Sequence, residues 1–267
     1  MGRCISYIIP ALNEEGTLDE TLDSIDNQAS DKEVIIADGG SNDKTLEIAQ
    51  KRRYEIIPSI PGRGTQLNRG VDQAKGDFLL FSHADTTLPK GASTEVVSLM
   101  KVPGTIAGSF HLAFKPSSKL LQFYSLCTSL NNLYFTFGGQ GLFMPISTFY
   151  ALGKFKPYPI LEDVDFQIRL RAMGRFVKSN LAVTTSSRRL LKYGIIRQQL
   201  LNLFIVAGFQ AGIHPRALSR FYLDVRKHLQ FLPCGYFNGG SEIKLHLQSS
   251  IQTHCIARGH YRYPLPA

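Results

Sequence analysis

Along its first third the chain alternates short apolar runs with segments whose apolar positions recur every three or four residues. Ile5–Pro10 (ISYIIP), Glu33–Asp38 (EVIIAD), Tyr54–Pro58 and Phe78–Ser82 (FLLFS) read as strands. Between the first two, Leu18, Leu22 and Ile25 mark one face of a helix. Thr17-Leu-Asp-Glu20 supplies a capping-box pattern at its start, in which hydroxyl and carboxylate each satisfy a free backbone N–H. A second helix is predicted from about Asn42 to Arg52, and Leu67, Val71 and Ala74 give a third stripe, closed by Gly76. Strands separated by helices of this length build βαβ units and a parallel sheet. Near-continuous apolar runs are what a sheet covered on both faces requires. Ligands of such sheets sit at the carboxyl ends of the strands. That rule directs attention to the loops PALNEEG, ADGGSND, the stretch around GRGTQ, and SHADTTLP.

The second half is less regular. Thr105–Phe114 predicts a strand. Lys119–Thr136 is apolar on nearly every side, which predicts either a buried helix or one resting against something apolar. Gly138-Gly139-Gln140-Gly141 breaks it. A helix is expected from about Glu162 to Met173, with Gly174 as its terminating glycine. Residues 188–225 read as helical and basic, and the tail, residues 226–267, has weak periodicity and no assignable fold.

At 267 residues, with 43% hydrophobic and 19% charged, the chain can bury a sizeable core and is not of disordered composition. Its net charge of +9 is unevenly spread. Residues 1–170 hold 16 lysines and arginines against 19 acidic residues; residues 171–267 hold 14 against only Asp224 and Glu242. Such asymmetry suggests a polyanionic partner for the C-terminal part. No helix-turn-helix, RRM or zinc-finger pattern favours nucleic acid. Leu200–Ile213, beside Arg188, Arg189, Lys192 and Arg197, fits peripheral contact with a membrane surface better. With Asn202 and Gln210 in it, that stretch is too short and too polar to span a bilayer. The four cysteines lie far apart with no CxxC pair, so neither zinc nor a disulfide framework is expected, and a reducing, cytoplasmic setting fits. MGRCISYIIP enters a strand directly, without an apolar leader, so no signal peptide is expected.

Several residues could carry chemistry. Asp38, at a strand end before Gly39-Gly40-Ser41, could accept hydrogen bonds from a base or ribose, or could belong to a simple turn. Glu14 and Glu15 could serve a ligand or the dipole of the following helix. Asp85, with Thr86 and Thr87, suits a hard divalent cation, though a solvated strand-end Asp reads the same way. Arg63, between Gly62 and Gly64 just before a helix, suits phosphate. Glu162-Asp163-Val164-Asp165 places three carboxylates at a helix start. They complement the dipole, and their mutual repulsion tends to raise one pKa and prepare a general base.

Taken together, these loops resemble the family 2 glycosyltransferases of the GT-A fold. The resemblance rests on Ile8-Ile9-Pro10-Ala-Leu-Asn13-Glu14-Glu15, on Ala37-Asp38-Gly39-Gly40-Ser41-Asn42-Asp43-Lys44-Thr45, and on Asn68-Arg69-Gly70 through Gly76-Asp77 into the strand before Asp85. Gly139-Gln140-Gly141 and Leu161-Glu162-Asp163 follow in the family's order. The GRGTQLN, SHADTTLP and Arg-Arg segments look closest to a bacterial subfamily labelled radical-SAM/selenodomain-associated transferase, a label of gene context rather than chemistry.

The resemblance implies an α/β fold with a Rossmann-like, mostly parallel central sheet flanked by helices and a helical, basic C-terminal part. Residues 1–225 would form the GT-A domain, with 1–104 its nucleotide-binding half and 105–225 its acceptor-side half. It implies an inverting transferase in which Asp163, beside Glu162, is the general base. A nucleotide-sugar would be held by Pro10, Asn13, Glu14, Asp38, Gly39, Arg63, His83, Ala84, Gln140, Arg188 and Arg189. Asp85 would bind Mn²⁺ or Mg²⁺. The implied acceptor is lipid-linked or membrane-proximal, and the protein would work in the cytoplasm, peripherally at the inner face of the plasma membrane. Two departures stand out. His83 occupies the first position of the family's DxD, and Arg188-Arg189-Leu190 stands where Arg-Arg-Trp is common, in a chain without Trp. The first motivates an alternative, a catalytically impaired nucleotide-sugar or glycan-binding protein.

Overall fold

A computed structural model describes residues 4–230, without the side chains of Arg189 and residues 224–230. The tail therefore lies, from residue 231 on, outside the described residues. Four strands, β1 (Ile5–Ala11), β2 (Lys32–Asp38), β3 (Glu55–Pro58) and β4 (Phe78–Phe81), pair in parallel in the order β3-β2-β1-β4. They are linked by α1 (Leu18–Asp26), α2 (Thr45–Lys51) and α3 (Arg63–Val71). The sheet continues through β5 (Thr86–Thr87), β6 (Thr105–Lys115), β7 (Phe143–Pro145) and β8 (Arg175–Ser186), in the full order β3-β2-β1-β4-β7-β6-β8-β5. β7 runs antiparallel to both β4 and β6, β6 is parallel to β8, and β5 is antiparallel to β8. The remaining helices are α4 (Ala92–Leu99), α5 (Lys119–Thr128), α6 (Ile146–Ala151), α7 (Glu162–Met173), α8 (Arg188–Tyr193), α9 (Ile195–Gln210) and α10 (Pro215–Gln230). This is the α/β, mostly parallel sheet flanked by helices that the periodicity predicts.

Side-chain alternation along each strand divides the core into layers. Ile5, Tyr7 and Ile9 of β1 pack with Leu18, Leu22 and Ile25 of α1. Ile8 points to the other face, with Ile35, Leu67 and Val71. α3 lies so close to β1 that a Cβ on Gly70 would sit 2.6 Å from Ile8 Cγ2. On the same face Phe81, Phe149, Phe155 and Phe166 form an aromatic cluster, with Phe155 and Phe166 centroids 4.4 Å apart. A third apolar group joins Leu161 and Val164 at the start of α7 to Leu201, Ile205, Val206 and Leu218 of α9 and α10. It fixes the position of Glu162 and Asp163.

Several local expectations are corrected. Thr17 makes no capping bond to the helix; its hydroxyl donates instead to Glu14 Oε2 (3.0 Å). The helix expected to Thr136 ends at Thr128, and four residues on Asn132 Oδ1 accepts from the N–H groups of Tyr134 (3.0 Å) and Phe135 (3.1 Å) in a turn. Residues 188–225, read as helical, are helical: they form α8, α9 and the first part of α10, with breaks at Gly194 (φ +84°) and Gly212 (φ +89°). Gly174 is extended rather than left-handed. It is needed for space, since a Cβ there would stand 3.0 Å from Ile106 Cγ2. The twelve-residue strand β8 was not anticipated: its burial alternates irregularly, so period 2 is blurred.

Candidate active site

The chain steps outward from β1 through β2 to β3, then returns to the other side of β1 to form β4. The reversal between β1 and β4 is a topological switch point, where the loops after the two strands diverge and leave a crevice. The loop after β1 carries Pro10, Asn13 and Glu14; the loop after β4 carries His83, Ala84 and Asp85.

The β1 and β2 loops are zipped together. Asn13, with a left-handed backbone (φ +56°), donates its N–H to Ser41 Oγ (3.0 Å), and its Oδ1 accepts from Asn42 N–H (2.9 Å). Glu14 N–H donates to Thr45 Oγ1 (2.8 Å) and Glu15 N–H to Asp43 Oδ2 (3.1 Å). Asp38 Oδ2 accepts from the N–H groups of Gly40 (2.9 Å) and Ser41 (3.0 Å), and Oδ1 from the Ser41 hydroxyl (2.5 Å). Gly39 N–H donates to Ala11 O (2.9 Å). Gln66, which the sequence did not flag, clamps the same strand ends by donating to Ala11 O (2.9 Å) and Ala37 O (2.8 Å).

A cleft of about 470 Å³ is lined by Arg63, His83, Asp85, Gly139, Glu162 and Asp163, together with apolar Phe114, Ile205 and Val206. Arg63, in the first turn of α3, organises it. Its Nε donates to Glu162 Oε1 (2.5 Å), Nη2 approaches Asp163 Oδ2 (3.0 Å) and Nη1 donates to His83 Nε2 (3.1 Å). A guanidinium can only donate, so His83 accepts at Nε2 and carries its ring proton on Nδ1. Asp163 Oδ2 also accepts from Gly138 N–H (2.6 Å) and Oδ1 from Val164 N–H (2.9 Å). Burial raises the Glu162 pKa above the ordinary carboxylate range; the Arg63 charge opposes this and the Asp163 charge adds to it. Burial works against the Arg63 charge, but the two carboxylates outweigh it and hold its pKa above the ordinary value.

Asp85 lines this cleft and also a second hollow of about 260 Å³ shared with Thr17, Glu20 and Arg188. Its Oδ1 is 3.4 Å from the Thr86 hydroxyl. Ala84 is buried, its carbonyl accepting from the Thr21 hydroxyl (3.0 Å), which pins the turn to α1. Arg188 reaches Glu14 Oε2 at 3.8 Å and donates from Nε to Ser186 Oγ (3.1 Å). The Arg189 side chain lies outside the described residues. The structure thus brings Arg63, His83, Asp85, Glu162 and Asp163 together, whereas Pro10, Asn13, Glu14, Asp38 and Gly39 do not line this cleft. Asp165 is turned away, onto Lys156 (2.8 Å) and Arg169 (2.9 Å).

Gln140 is not brought into the cleft. It is fully buried, its carboxamide N–H donates to Phe135 O (2.6 Å) and its oxygen accepts from Lys178 Nζ. Lys178, from the unanticipated β8, also donates to Ser109 Oγ (3.1 Å). Burial, with the Arg171 charge adding, pushes its pKa down from 10.5 to about 7. The folded state therefore binds fewer protons at this group than the unfolded chain. Its contribution to stability is full above pH 10.5 and is lost as pH falls through about 7. The melting temperature of the wild type is expected to climb from pH 7 to 10 relative to that of Lys178→Met; parallel profiles in a thermal-melt series would exclude this titration.

Among the described residues, no group of three or more His, Cys, Asp and Glu side chains is arranged to hold a metal ion. Any cation here would depend on Asp85 and on ligands from a bound substrate.

The profile of glycosyl transferase family 2 matches residues 6–155, more than half of the chain. Glucosyl-3-phosphoglycerate synthase of Mycobacterium tuberculosis is 32% identical over 99 residues, 33% of this chain and 31% of that protein. A PGL/p-HBAD biosynthesis glycosyltransferase of Mycobacterium bovis is 42% identical over 91 residues, 31% of this chain and 36% of its own length. The matches span about a third of these relatives. Among solved structures, mannosyltransferase PcManGT from Pyrobaculum calidifontis, in complex with GDP-Man and Mn²⁺, superposes with a TM-score of 0.62 at 16% identity, covering 86% of this chain and 70% of that one. S. aureus TarS in complex with UDP-GlcNAc gives 0.58 at 18% identity, covering 85% and 73%. These likenesses carry the fold, and the profile match carries the family: the chain belongs to glycosyl transferase family 2.

Proposed function

We propose that this protein is an inverting glycosyltransferase that moves a sugar from a nucleotide-sugar onto an acceptor hydroxyl, with Asp163 as general base. The observation that carries the reading is the single cleft at the switch point lined by Asp163, Glu162, Arg63, His83 and Asp85. Family membership supports it, as do the nucleotide-sugars bound by the structural neighbours. In this reading the zipped β1–β2 loops, with Pro10, Asn13, Glu14, Asp38 and Gly39, take the nucleoside, and Arg63, with Arg188, faces the diphosphate. Asp163 removes the proton from the acceptor hydroxyl. The acceptor oxygen attacks the anomeric carbon as the bond to the diphosphate breaks, and its electron pair departs with the nucleoside diphosphate. A single displacement inverts the configuration.

Asp163 must first give up Arg63, because its Oδ2 is occupied by the guanidinium and the Gly138 N–H and is not free to meet an acceptor hydroxyl. A diphosphate brings more negative charge and planar bidentate acceptors, so it competes for the same guanidinium. Asp85 is the residue that would hold Mn²⁺ or Mg²⁺, with the remaining oxygens coming from the diphosphate. Such an ion supplies neutralisation of the leaving group's charge. The acceptor in this reading is lipid-linked or membrane-proximal, in keeping with Phe114, Ile205 and Val206 along the cleft. A second reading, a nucleotide-sugar-binding protein without turnover, is favoured by one observation: Arg63 occupies both His83 and Asp163.

A thermal-shift screen of nucleotide-sugars with and without Mn²⁺, followed by a donor-consumption assay, tests both. A cognate donor at a hundred times its Kd adds about 2.7 kcal/mol, a rise of about 5–10 °C for a domain of this size. Asp85→Ala is expected to remove the Mn²⁺-dependent part of that rise and the turnover. Binding without any consumption of donor, over a broad set of acceptors, supports the second reading; no shift with any nucleotide-sugar overturns both.

A further inference from the structure

Three helices turn large apolar side chains to solvent. On α5, Leu120, Phe123 and Leu126 follow one another at helical spacing opposite the buried Leu121 and Tyr124, with Phe123 65% and Leu126 69% exposed. On α9, Ile196, Leu200 and Phe204 stand one turn apart opposite the buried Leu201 and Ile205, and are 60%, 61% and 56% exposed. A helix apolar on both faces normally lies inside a protein core or against another apolar phase. Tyr124 of α5 and Gln199 of α9 line the same cleft, and the Phe204 ring lies 5.3 Å from that of Phe221, an exposed residue of α10.

The charges described around this face have one sign. Lys119, Lys192, Arg197, Arg216 and Arg220 are exposed, and residues 96–161 and 188–223 contain no Asp or Glu; the side chain of Asp224, also on α10, lies outside the described ones. A second copy meeting this face would set these cations against cations with no described acid to pair them, which disfavours self-association. A nucleic acid would leave the apolar stripes uncovered. An apolar centre rimmed by lysine and arginine is the pattern of a surface that rests in the interfacial layer of a negatively charged membrane. No helix among the described residues is long and apolar enough to cross one.

We propose that the outer faces of α5, α9 and α10 form a docking surface for an anionic lipid bilayer. Phe123, Leu126, Leu200 and Phe204 enter the acyl boundary, and the flanking cations meet the headgroups. Ile205 and Val206 of α9 line the cleft, so the helix that meets lipid also walls the candidate site. This assignment does not require the glycosyltransferase reading, and its test has no turnover in it.

The full chain is sedimented with vesicles of phosphatidylcholine alone and with vesicles containing phosphatidylserine. Binding is expected to the anionic vesicles, falling about tenfold or more when salt is raised from 0.1 to 0.5 M. Leu126→Ser/Leu200→Ser removes apolar surface that is already in water, so its melting temperature should hold while vesicle affinity drops about tenfold or more. Arg197→Glu/Arg220→Glu should abolish the preference for phosphatidylserine. Absence of binding to anionic vesicles, or equal binding to neutral ones, overturns the proposal. So does a concentration-dependent dimer in sedimentation velocity that the serine variant abolishes, without lipid affinity in the wild type.

Discussion

Replacing Asp163 with Asn is expected to reduce kcat by about 10²–10⁴-fold, the range of a lost general base, with little change in the melting shift caused by a nucleotide-sugar. The amide keeps the shape and removes the proton acceptor. It also brings an NH₂ where Asp163 now receives N–H groups on both oxygens, from Gly138 and Arg63 on one side and Val164 on the other. One of those donors is left facing another donor, so stability should fall by about 1–3 kcal/mol. The two effects separate cleanly: donor binding and circular dichroism report the fold, and a single-turnover rate at saturating donor and acceptor reports the chemistry. Undiminished turnover in this variant would remove Asp163 from its role. Glu162 is not an equivalent base in the structure, because its 5%-exposed side chain is sealed against Arg63.

Arg63→Ala is expected to damage both stability and activity. The Glu162 carboxylate would lose the guanidinium that compensates its burial. Removing one partner of a buried pair typically costs about 3–5 kcal/mol, and the 34% exposure of the Arg63 side chain puts the figure at the lower end. The double variant Arg63→Ala/Glu162→Gln should recover the part of that loss that comes from Glu162 in chemical denaturation, while the Asp163 carboxylate keeps only its backbone N–H donors. It should not recover transfer, because the group proposed to face the diphosphate is still missing. Arg63→Lys retains a charge but cannot reach Glu162, Asp163 and His83 from one planar fork. Its KM for donor should rise. If Arg63→Ala/Glu162→Gln transfers sugar at the wild-type rate, Arg63 has only a structural part in the cleft.

The parallel half of the fold is legible in the sequence because its strands are covered on both faces. ISYIIP, EVIIAD and FLLFS carry their own signal without reference to neighbours. β8 is not legible: Arg175–Ser186 is buried unevenly along its length, and its pairing with β6 shifts register, so neither alternation nor a continuous run survives. Thr17 fits a capping box by residue type, yet its hydroxyl finds a nearer acceptor in Glu14, on the preceding loop. Of the strand-end residues the sequence singles out, His83 and Asp85 line the cleft; Asn13 and Glu14 are engaged between the β1 and β2 loops instead, and Asp38 within the β2 loop. Gln140 shows the limit of that logic. A polar residue between glycines reads as ligand-facing, and only the fold reveals that its partner is a lysine on a strand 38 residues later. Gln66 shows the converse. A glutamine inside a helical stretch gives no hint that it will clamp the ends of two strands.

The reciprocal hydrogen bonds between the β1 and β2 loops have a consequence for anyone re-engineering either loop. Asn13, Glu14 and Glu15 are held by Ser41, Asn42, Asp43 and Thr45, and a change in either loop loosens the other. The two loops form one preassembled plate. A library that varies one of them alone would recover mostly disassembled plates, whereas grafting both from a single source transplants the whole unit.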